Sequence, residues 1–504
     1  MQLPVHMPVL PHRGHDILLL RARALRRSAL FRAALVRPFS DAFFKEPAEP
    51  LGIEALAAVL RRNGIEFALF DRELDSFDET ARAILEYKPS LLGFSVLLED
   101  NAADAIRLLL RIREVYDVPC VIGGMFVTTC CERARALFPG DCELVAGEGE
   151  TAILRACSRL TGIEYADMEK PFLQPGEWPW LYRHRLQEYL DIGAPINMRA
   201  SRGCPGKCRF CTTPSLPGGL GRWRGRPVSD VADEIGALCR EYTPHAFNFV
   251  DDDFGPLRRL EKLVDELAAR KLRCALSLQL RMDALCRERD LPALMRKLRE
   301  GGLGRVFVGL ESVDRAALEY FGKDVDPERA LEALGALREA GVAAHIGYIL
   351  WHPLSTPDSV RAEAKILKDA GLFTTKIVMA RLLFFQGSAL WRERRAKPGA
   401  GMPIDPYYEA VRDKAAPLYG AWLKGALDIP LRYSLAAIAR GGDEYAKARA
   451  VEKQLSRLDE MAYRTLIDPD GADEPAIRAL AADVEERLNE IGSPHNGPRR
   501  GAAT

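Results

Sequence analysis

The chain has 504 residues, 48% hydrophobic and 28% charged, the balance of a globular protein able to bury sizeable cores. Its 71 Lys plus Arg equal its 71 Asp plus Glu, so no global basic surface for nucleic acid is indicated. No apolar run reaches the roughly 18 residues of a membrane span, and Met1-Gln-Leu-Pro-Val-His6 lacks the regions of a signal peptide. At about 150 residues per domain, the length predicts roughly three domains, or one large barrel with additions.

Residues 1–162 alternate short apolar strands with amphipathic helices. Strands are predicted at Asp16–Leu20, Glu66–Phe70, Leu91–Ser95, Pro119–Gly123 and Glu143–Ala146. Helices are predicted at Leu51–Asn63 (closed by Gly64), Glu79–Tyr87, Ala102–Val115 and Thr129–Leu137, and the basic run Arg21–Arg32 reads as a solvated helix face. This alternation implies a doubly wound parallel sheet, with ligands at the carboxyl ends of the strands. Those ends carry Ser95, Gly123, Gly124, Thr128 and Gly147-Glu148-Gly149-Glu150. Glycines there let a backbone approach a ligand, and hydroxyls can donate to it. Glycines that only make tight turns are the other reading. Residues 163–194, with Pro171, Pro175, Pro179, Trp178 and Trp180, read as a linker.

Next comes Arg199-Ala-Ser-Arg-Gly-Cys204-Pro-Gly-Lys-Cys208-Arg-Phe210-Cys211, directly after the strand-like Ile196–Ala200. Eleven cysteines, an odd number ending at Cys286, argue for a reducing cytoplasm rather than a disulfide framework. Thiolates spaced C-x3-C-x2-C then point to a metal or a cluster. Structural zinc wants four ligands, and no histidine lies between Cys211 and His245. A four-iron cluster held by Cys204, Cys208 and Cys211 would keep one iron open.

Residues 195–390 alternate again. Helices are predicted at Pro227–Tyr242, Pro256–Arg270, Leu291–Glu300, Pro327–Ala340 and Pro357–Ala370. Strands at Ala246–Val250, Arg273–Gln279, Arg305–Leu310, Val342–Tyr348 and Thr375–Met379 bring the total to six β/α units. A partial (β/α)6 barrel is expected, with its chemistry at the carboxyl ends. Polar groups collect there: Asp251-Asp252-Asp253, Gln279 and Arg281, Glu311-Ser312, and Trp351-His352. Singly, each has a bland reading as a cap, a turn or a packed side chain.

The cysteine spacing with Phe210, and Gly309-Leu-Glu311-Ser312 on the fourth strand, resemble the radical S-adenosylmethionine (SAM) superfamily. The glycine pattern of residues 16–159 resembles the cobalamin-binding domain that precedes many of these enzymes. The resemblance implies a [4Fe-4S] cluster on Cys204, Cys208 and Cys211, with SAM on its open iron near Phe210, Asp251, Gln279, Arg281, Glu311 and Ser312. It implies cobalamin near Ser95, Gly123, Gly124, Thr128 and Glu148, and catalytic roles for Asp251, Asp252, Trp351 and His352. It further implies a small-molecule substrate and an external flavodoxin- or ferredoxin-like electron donor. Two departures stand out. The Asp-x-His-x-x-Gly cobalt-ligand signature is absent, with no histidine between His15 and His184. Trp351-His-Pro-Leu-Ser-Thr356 replaces the usual fifth-strand segment.

Residues 391–492 are expected to be helical, at Tyr407–Leu423, Leu431–Ala439 and Asp443–Asp459, and residues 493–504 a disordered tail. The expected activity is cobalamin-dependent methylation of an unactivated carbon of a small specialised metabolite. Its alternatives are a cobalamin-free radical dehydration, epimerisation or rearrangement, and a non-catalytic iron–sulfur or zinc protein. The chain is expected to be cytoplasmic, without membrane or nucleic-acid partners.

Overall fold

A computed structural model describes residues 31–40, 48–244, 246–396, 402–428 and 443–491. Two compact units emerge: residues 1–186 with 212–227, and residues 187–211 with 228–504. The segment read as a linker is thereby divided at Leu186. Its first part folds onto the first unit, burying Leu173 and Trp178, with Trp178 Nε1 donating to the Leu173 carbonyl at 2.9 Å.

The first unit is a parallel sheet of β1 (Arg32–Arg37), β2 (Glu66–Asp71), β3 (Leu91–Ser95), β4 (Cys120–Gly123) and β5 (Glu143–Leu144), in the order β2-β1-β3-β4-β5. Helices Leu51–Arg62, Phe77–Tyr87, Glu99–Arg113 and Glu150–Thr161 enclose two apolar cores with its strands. Ser76 starts the second helix with a capping box, its hydroxyl and the Glu79 carboxylate exchanging hydrogen bonds with each other's backbone. The predicted first strand, Asp16–Leu20, lies outside the described residues. The sequence reading missed β1, the buried strand from which the chain crosses to either side. Arginines bracket its four apolar residues, Ala33–Val36, and hide the run inside a basic stretch. The helix predicted over Thr129–Leu137 is two short helices, Met125–Thr129 and Cys131–Leu137, that meet at Cys130.

The second unit is a parallel sheet of β6 (Ile196–Met198), β7 (Phe247–Phe249), β8 (Leu276–Arg281), β9 (Leu303–Glu311) and β10 (Ala343–Tyr348), in the order β10-β9-β8-β7-β6. The period-2 rule is plain in β9. Val306, Val308 and Leu310 are fully buried on one face, while Arg305, Phe307, Gly309 and Glu311 are half-buried on the other. Helices Val228–Glu241, Leu257–Ala269, Leu291–Glu300 and Pro327–Glu339 form the four crossovers, and Pro357–Asp369 follows the last strand. Asp290, Asp314 and Asp326 cap their helices by accepting backbone N–H groups.

The predicted sixth strand is a correction. Thr375–Val378 is one helical turn, and only a Trp351–Arg381 bridge marks parallel pairing there among the described residues. The β-branched run Thr-Thr-Lys-Ile-Val favours a strand by propensity, but a distant carboxylate overrides it. Asp459 accepts from both the backbone N–H (2.6 Å) and the hydroxyl (2.8 Å) of Thr375, using the donor a strand would pair. Helices Asp405–Asp428, Asp443–Ile467 and Glu474–Glu490 complete the unit. The predicted helix Leu431–Ala439 and the predicted tail lie outside the described residues. Among the described residues, no helix is long and apolar enough to cross a membrane.

Candidate functional site

In the second unit the cysteine loop leaves β6 and is fastened from several sides. Asp251, 2% exposed at the end of β7, accepts from the backbone N–H groups of Ala200 (2.9 Å) and Ser201 (2.8 Å) through one oxygen. Its other oxygen has no partner, and burial pushes its carboxyl up to about 7. The Asp253 carbonyl accepts from the Ser201 hydroxyl at 2.7 Å, and Asp252 is exposed beside them. Farther along the loop, Arg209 donates its backbone N–H to the Phe321 carbonyl at 2.8 Å and accepts from Leu390 at 3.0 Å. Gly322, at φ +71°, sits where a Cβ would meet the Lys207 carbonyl at 3.1 Å. Phe210 packs edge-on against Phe321, 5.7 Å between centroids.

All three thiols are half-buried. Cys204 Sγ accepts from Gly206 N–H at 3.4 Å and from Arg281 Nη1 at 3.7 Å. Asp283 holds that guanidinium at 2.9 Å, and a Cβ on Gly206 would fall 2.0 Å from Arg281 Nη1, so a side chain there would push the guanidinium aside. Cys208 lies in the combined field of Lys323, Glu311, Cys211 and Arg281, and burial pushes its thiol up. Among the described residues no three His, Cys, Asp or Glu side chains converge on a single ion. Three thiols on one loop are the donor set of a cluster with one iron left open, whereas a structural zinc takes four ligands.

Glu311 closes the other side. It is a non-glycine residue at φ +70°, a conformation that surrounding contacts must hold. Lys323 Nζ reaches its carboxylate at 3.2 Å and the Gly309 carbonyl at 2.8 Å. A Cβ on Gly309 would fall 2.5 Å from Glu311 Oε1. Behind it, Ser312 is fully buried, donating to Glu363 at 2.6 Å and accepting from Asp314 N–H at 2.9 Å. Tyr348 donates to the same carboxylate and accepts from Val313 N–H at 3.1 Å. The Ser312 hydroxyl is thus tied to Glu363 and to Asp314 N–H, a bolt behind Glu311.

Trp351 lies inside the fold. It is fully buried, Nε1 donates to the Val378 carbonyl at 2.8 Å, and its ring packs on Tyr407 and Tyr408. His352 is 2% exposed, with both ring nitrogens unpartnered and its ring 5.2 Å from Phe321. Burial lowers its pKa to about 4, so the ring is neutral at physiological pH. Gln279 is half-buried on the Arg281 face of β8. Sequence reasoning missed Lys323, Asp283, Glu363 and Tyr348; none lies in a motif, and their partners become visible only when strand ends meet helices.

The first unit presents a different surface at its carboxyl edge. Gly124, at φ +105°, lies so close to Val96 that a Cβ would fall 2.3 Å from its carbonyl oxygen. Thr128 donates to the Gly124 carbonyl and accepts from Gly147 N–H, both at 2.9 Å, tying two strand ends together. Ser95 Oγ would meet a Cβ on Gly52 at 3.0 Å, and Gly123 ends β4. Glu148 is taken up in an ion pair with Arg224, whose guanidinium lies 4.6 Å over the Phe172 ring. Beside these, Phe39, Leu97, Leu98 and Met125 are exposed just past β1, β3 and β4, with Leu97 and Leu98 more than half accessible. The glycines admit the protein's own Val96 and Leu220, and it is the exposed hydrocarbon of this edge that fits a broad, largely apolar macrocycle such as the corrin of cobalamin.

Two family models match the chain: the radical SAM superfamily over residues 198–367 and the B12-binding domain over residues 42–156. An uncharacterised methyltransferase of Pyrococcus horikoshii is 26% identical over 68% of this chain and 77% of its own length. The hopanoid C-3 methylase of Methylococcus capsulatus is 25% identical over 64% of each chain. In fold, the chain is similar to the cobalamin-dependent SAM radical enzyme OxsB with aqua-cobalamin and SAM bound (TM-score 0.69, 15% identity, 92% of this chain and 80% of that one).

Proposed function

Since the chain belongs to the cobalamin-dependent branch of the radical SAM superfamily and is a methyltransferase-type enzyme using a [4Fe-4S] cluster, SAM and cobalamin, we propose that it methylates an unactivated carbon of a small specialised metabolite. When bound, the cluster supplies an electron to SAM and cobalamin a transferable methyl group. The observation that carries the reading is the pairing in one chain of a three-thiol loop with a glycine- and hydrocarbon-edged sheet.

Around the thiols, this chain's residues position and shield. Cys204, Cys208 and Cys211 would hold the cluster, and Arg281 and the Gly206 N–H stabilise the Cys204 thiolate. Asp251 fixes the backbone that enters the loop, and Phe210, edge-on to Phe321, keeps hydrocarbon beside the cysteines. Glu311, held by Lys323, offers a carboxylate that accepts hydrogen bonds from a ribose. Asp252, exposed at the end of β7, is available to substrate. His352, neutral and unpartnered, can donate or accept one hydrogen bond at either nitrogen. In the first unit, Ser95, Gly123, Gly124 and Thr128 form the bed for the macrocycle, with Glu148 holding the adjoining segment through Arg224. The reductant is an external flavodoxin- or ferredoxin-like protein.

The test is anaerobic reconstitution with iron, sulfide and cobalamin, followed by isotope tracing from methyl-labelled SAM. Label transferred to a carbon of an acceptor molecule is expected. A reconstituted protein that consumes SAM but leaves every label in methionine or adenosyl products, whatever the acceptor pool offered, overturns methylation.

A further inference from the structure

One face of the second sheet carries a group of basic side chains that the cysteine loop does not use. His345, on β10, stands in register with Phe307 on β9, two residues along the same face from Arg305. Lys376 comes from the helical turn that replaces the expected sixth strand and reaches His345 Nε2 at 2.7 Å. The Phe307 ring packs edge-on to the imidazole at 5.4 Å. Among the described residues, Lys376 has no carboxylate within ion-pair distance; the histidine ring is its side-chain partner.

A half-buried lysine ordinarily lies against a carboxylate, because gathering cations in a low dielectric costs stability. Here burial, Lys376 and Arg305 together lower the His345 pKa to about 3, and burial and Arg305 lower that of Lys376. The placement is nonetheless built. Asp459 fastens Thr375 by two hydrogen bonds, fixing the turn whose next residue is Lys376. All three side chains keep partial access, along the edge strand β10.

We propose that Lys376, His345 and Arg305 bind an oxyanion group, a carboxylate, phosphate or phosphonate, carried by the small-molecule substrate. This rests on the reading of the chain as a small-molecule methyltransferase. The register also sets a length. Four residues separate Phe307 from Glu311 along β9, about 13 Å at ~3.3 Å per residue. The substrate is therefore elongated, with its anionic end held well below the strand ends where the cysteine loop begins.

The experiment is calorimetric titration of the reconstituted, SAM-loaded chain with methylphosphonate and with acetate in low-chloride buffer. Saturable binding of one of them is expected, and the preferred probe identifies the class. Lys376→Met should weaken it at least tenfold, Lys376→Arg should retain it, and Lys365→Met, an exposed lysine paired with Asp369, should not change it. Retention by Lys376→Arg guards against a variant that merely fails to fold. Absence of binding in the parent chain, or equal binding by Lys376→Met, would each overturn the proposal. Because the titration needs no methyl transfer, it stands or falls separately from the isotope test.

Discussion

At the carboxyl end of the first sheet, the groups that face outward are backbone and hydrocarbon: Gly123, Gly124 and Gly147 beside Phe39, Leu97, Leu98 and Met125. At the carboxyl end of the second they are thiols and charges: Cys204, Cys208, Cys211, Arg281 and the Glu311–Lys323 pair. A face of the first kind recognises by shape and burial, and tolerates loss of any one side chain while failing when its backbone is displaced. A face of the second kind depends on individual atoms, since each thiolate or donor fills one coordination or hydrogen-bonding position.

Single substitutions can break this contrast. Cys208→Ala removes one of the three proposed cluster ligands, and SAM cleavage should fall to background, a loss of at least ~1,000-fold (about 4 kcal/mol); retained cleavage would sink the cluster assignment. In the first unit the comparable blow falls on a glycine. Gly124→Val forces a β-branched residue into φ +105° with its Cβ against the Val96 carbonyl. Backbone strain alone should cost about 1–3 kcal/mol. Cobalamin retained through gel filtration should drop sharply in Gly124→Val, while iron content stays that of the parent. Leu97→Ala, by comparison, should retain most of its cobalamin. Iron lost together with cobalamin in Gly124→Val would show that the two ends are not independent.

The same contrast explains what was legible in the sequence. Cys204, Cys208 and Cys211 stood out because a ligand set, as proposed for them, is written in residue types at fixed spacing. Most strands of both sheets could be read because apolar runs alternate with amphipathic helices. β1 could not, since four apolar residues between Arg32 and Arg37 resemble part of a basic stretch until the sheet buries them. Thr375–Val378 misled for the opposite reason, its local strand propensity being reversed by Asp459, 84 positions later. Ser312 and Trp351 follow the ends of β9 and β10, and a position along the chain does not show what a side chain packs against.

The bolt behind Glu311 gives a smaller effect that sharpens the picture of the second end. Ser312→Ala leaves Glu363 short of one donor and Asp314 N–H short of an acceptor. Each lost hydrogen bond is worth about 0.5–1.5 kcal/mol. If that energy holds Glu311 at φ +70°, SAM affinity measured by calorimetry should weaken about three- to tenfold, with Ser312→Thr restoring it. A change in thermal midpoint with unaltered SAM affinity would reduce Ser312 to a packing role.

The mildest test returns to the first unit and uses pH. Glu54 is fully buried near the start of its helix. It accepts from His184 N–H at 2.9 Å through one oxygen, and the other oxygen has no partner. Burial, with Glu49 nearby, pushes its carboxyl from 4.5 up to about 8. In the unfolded chain the acid ionises near its ordinary value, whereas in the folded chain it keeps its proton to about 8. The folded state therefore binds the extra proton between these limits, and stability falls as pH rises through that window, by up to about 1.4 kcal/mol per unit. Glu54→Gln keeps an oxygen for His184 and cannot ionise, so its slope should be flatter and its advantage over the parent largest above pH 8. Hydrogen-exchange protection of β1, corrected for intrinsic rates, measures both slopes. Parallel slopes for parent and variant would mean that Glu54 is ionised in the fold, with the neighbouring Arg183 outweighing the burial that raises it.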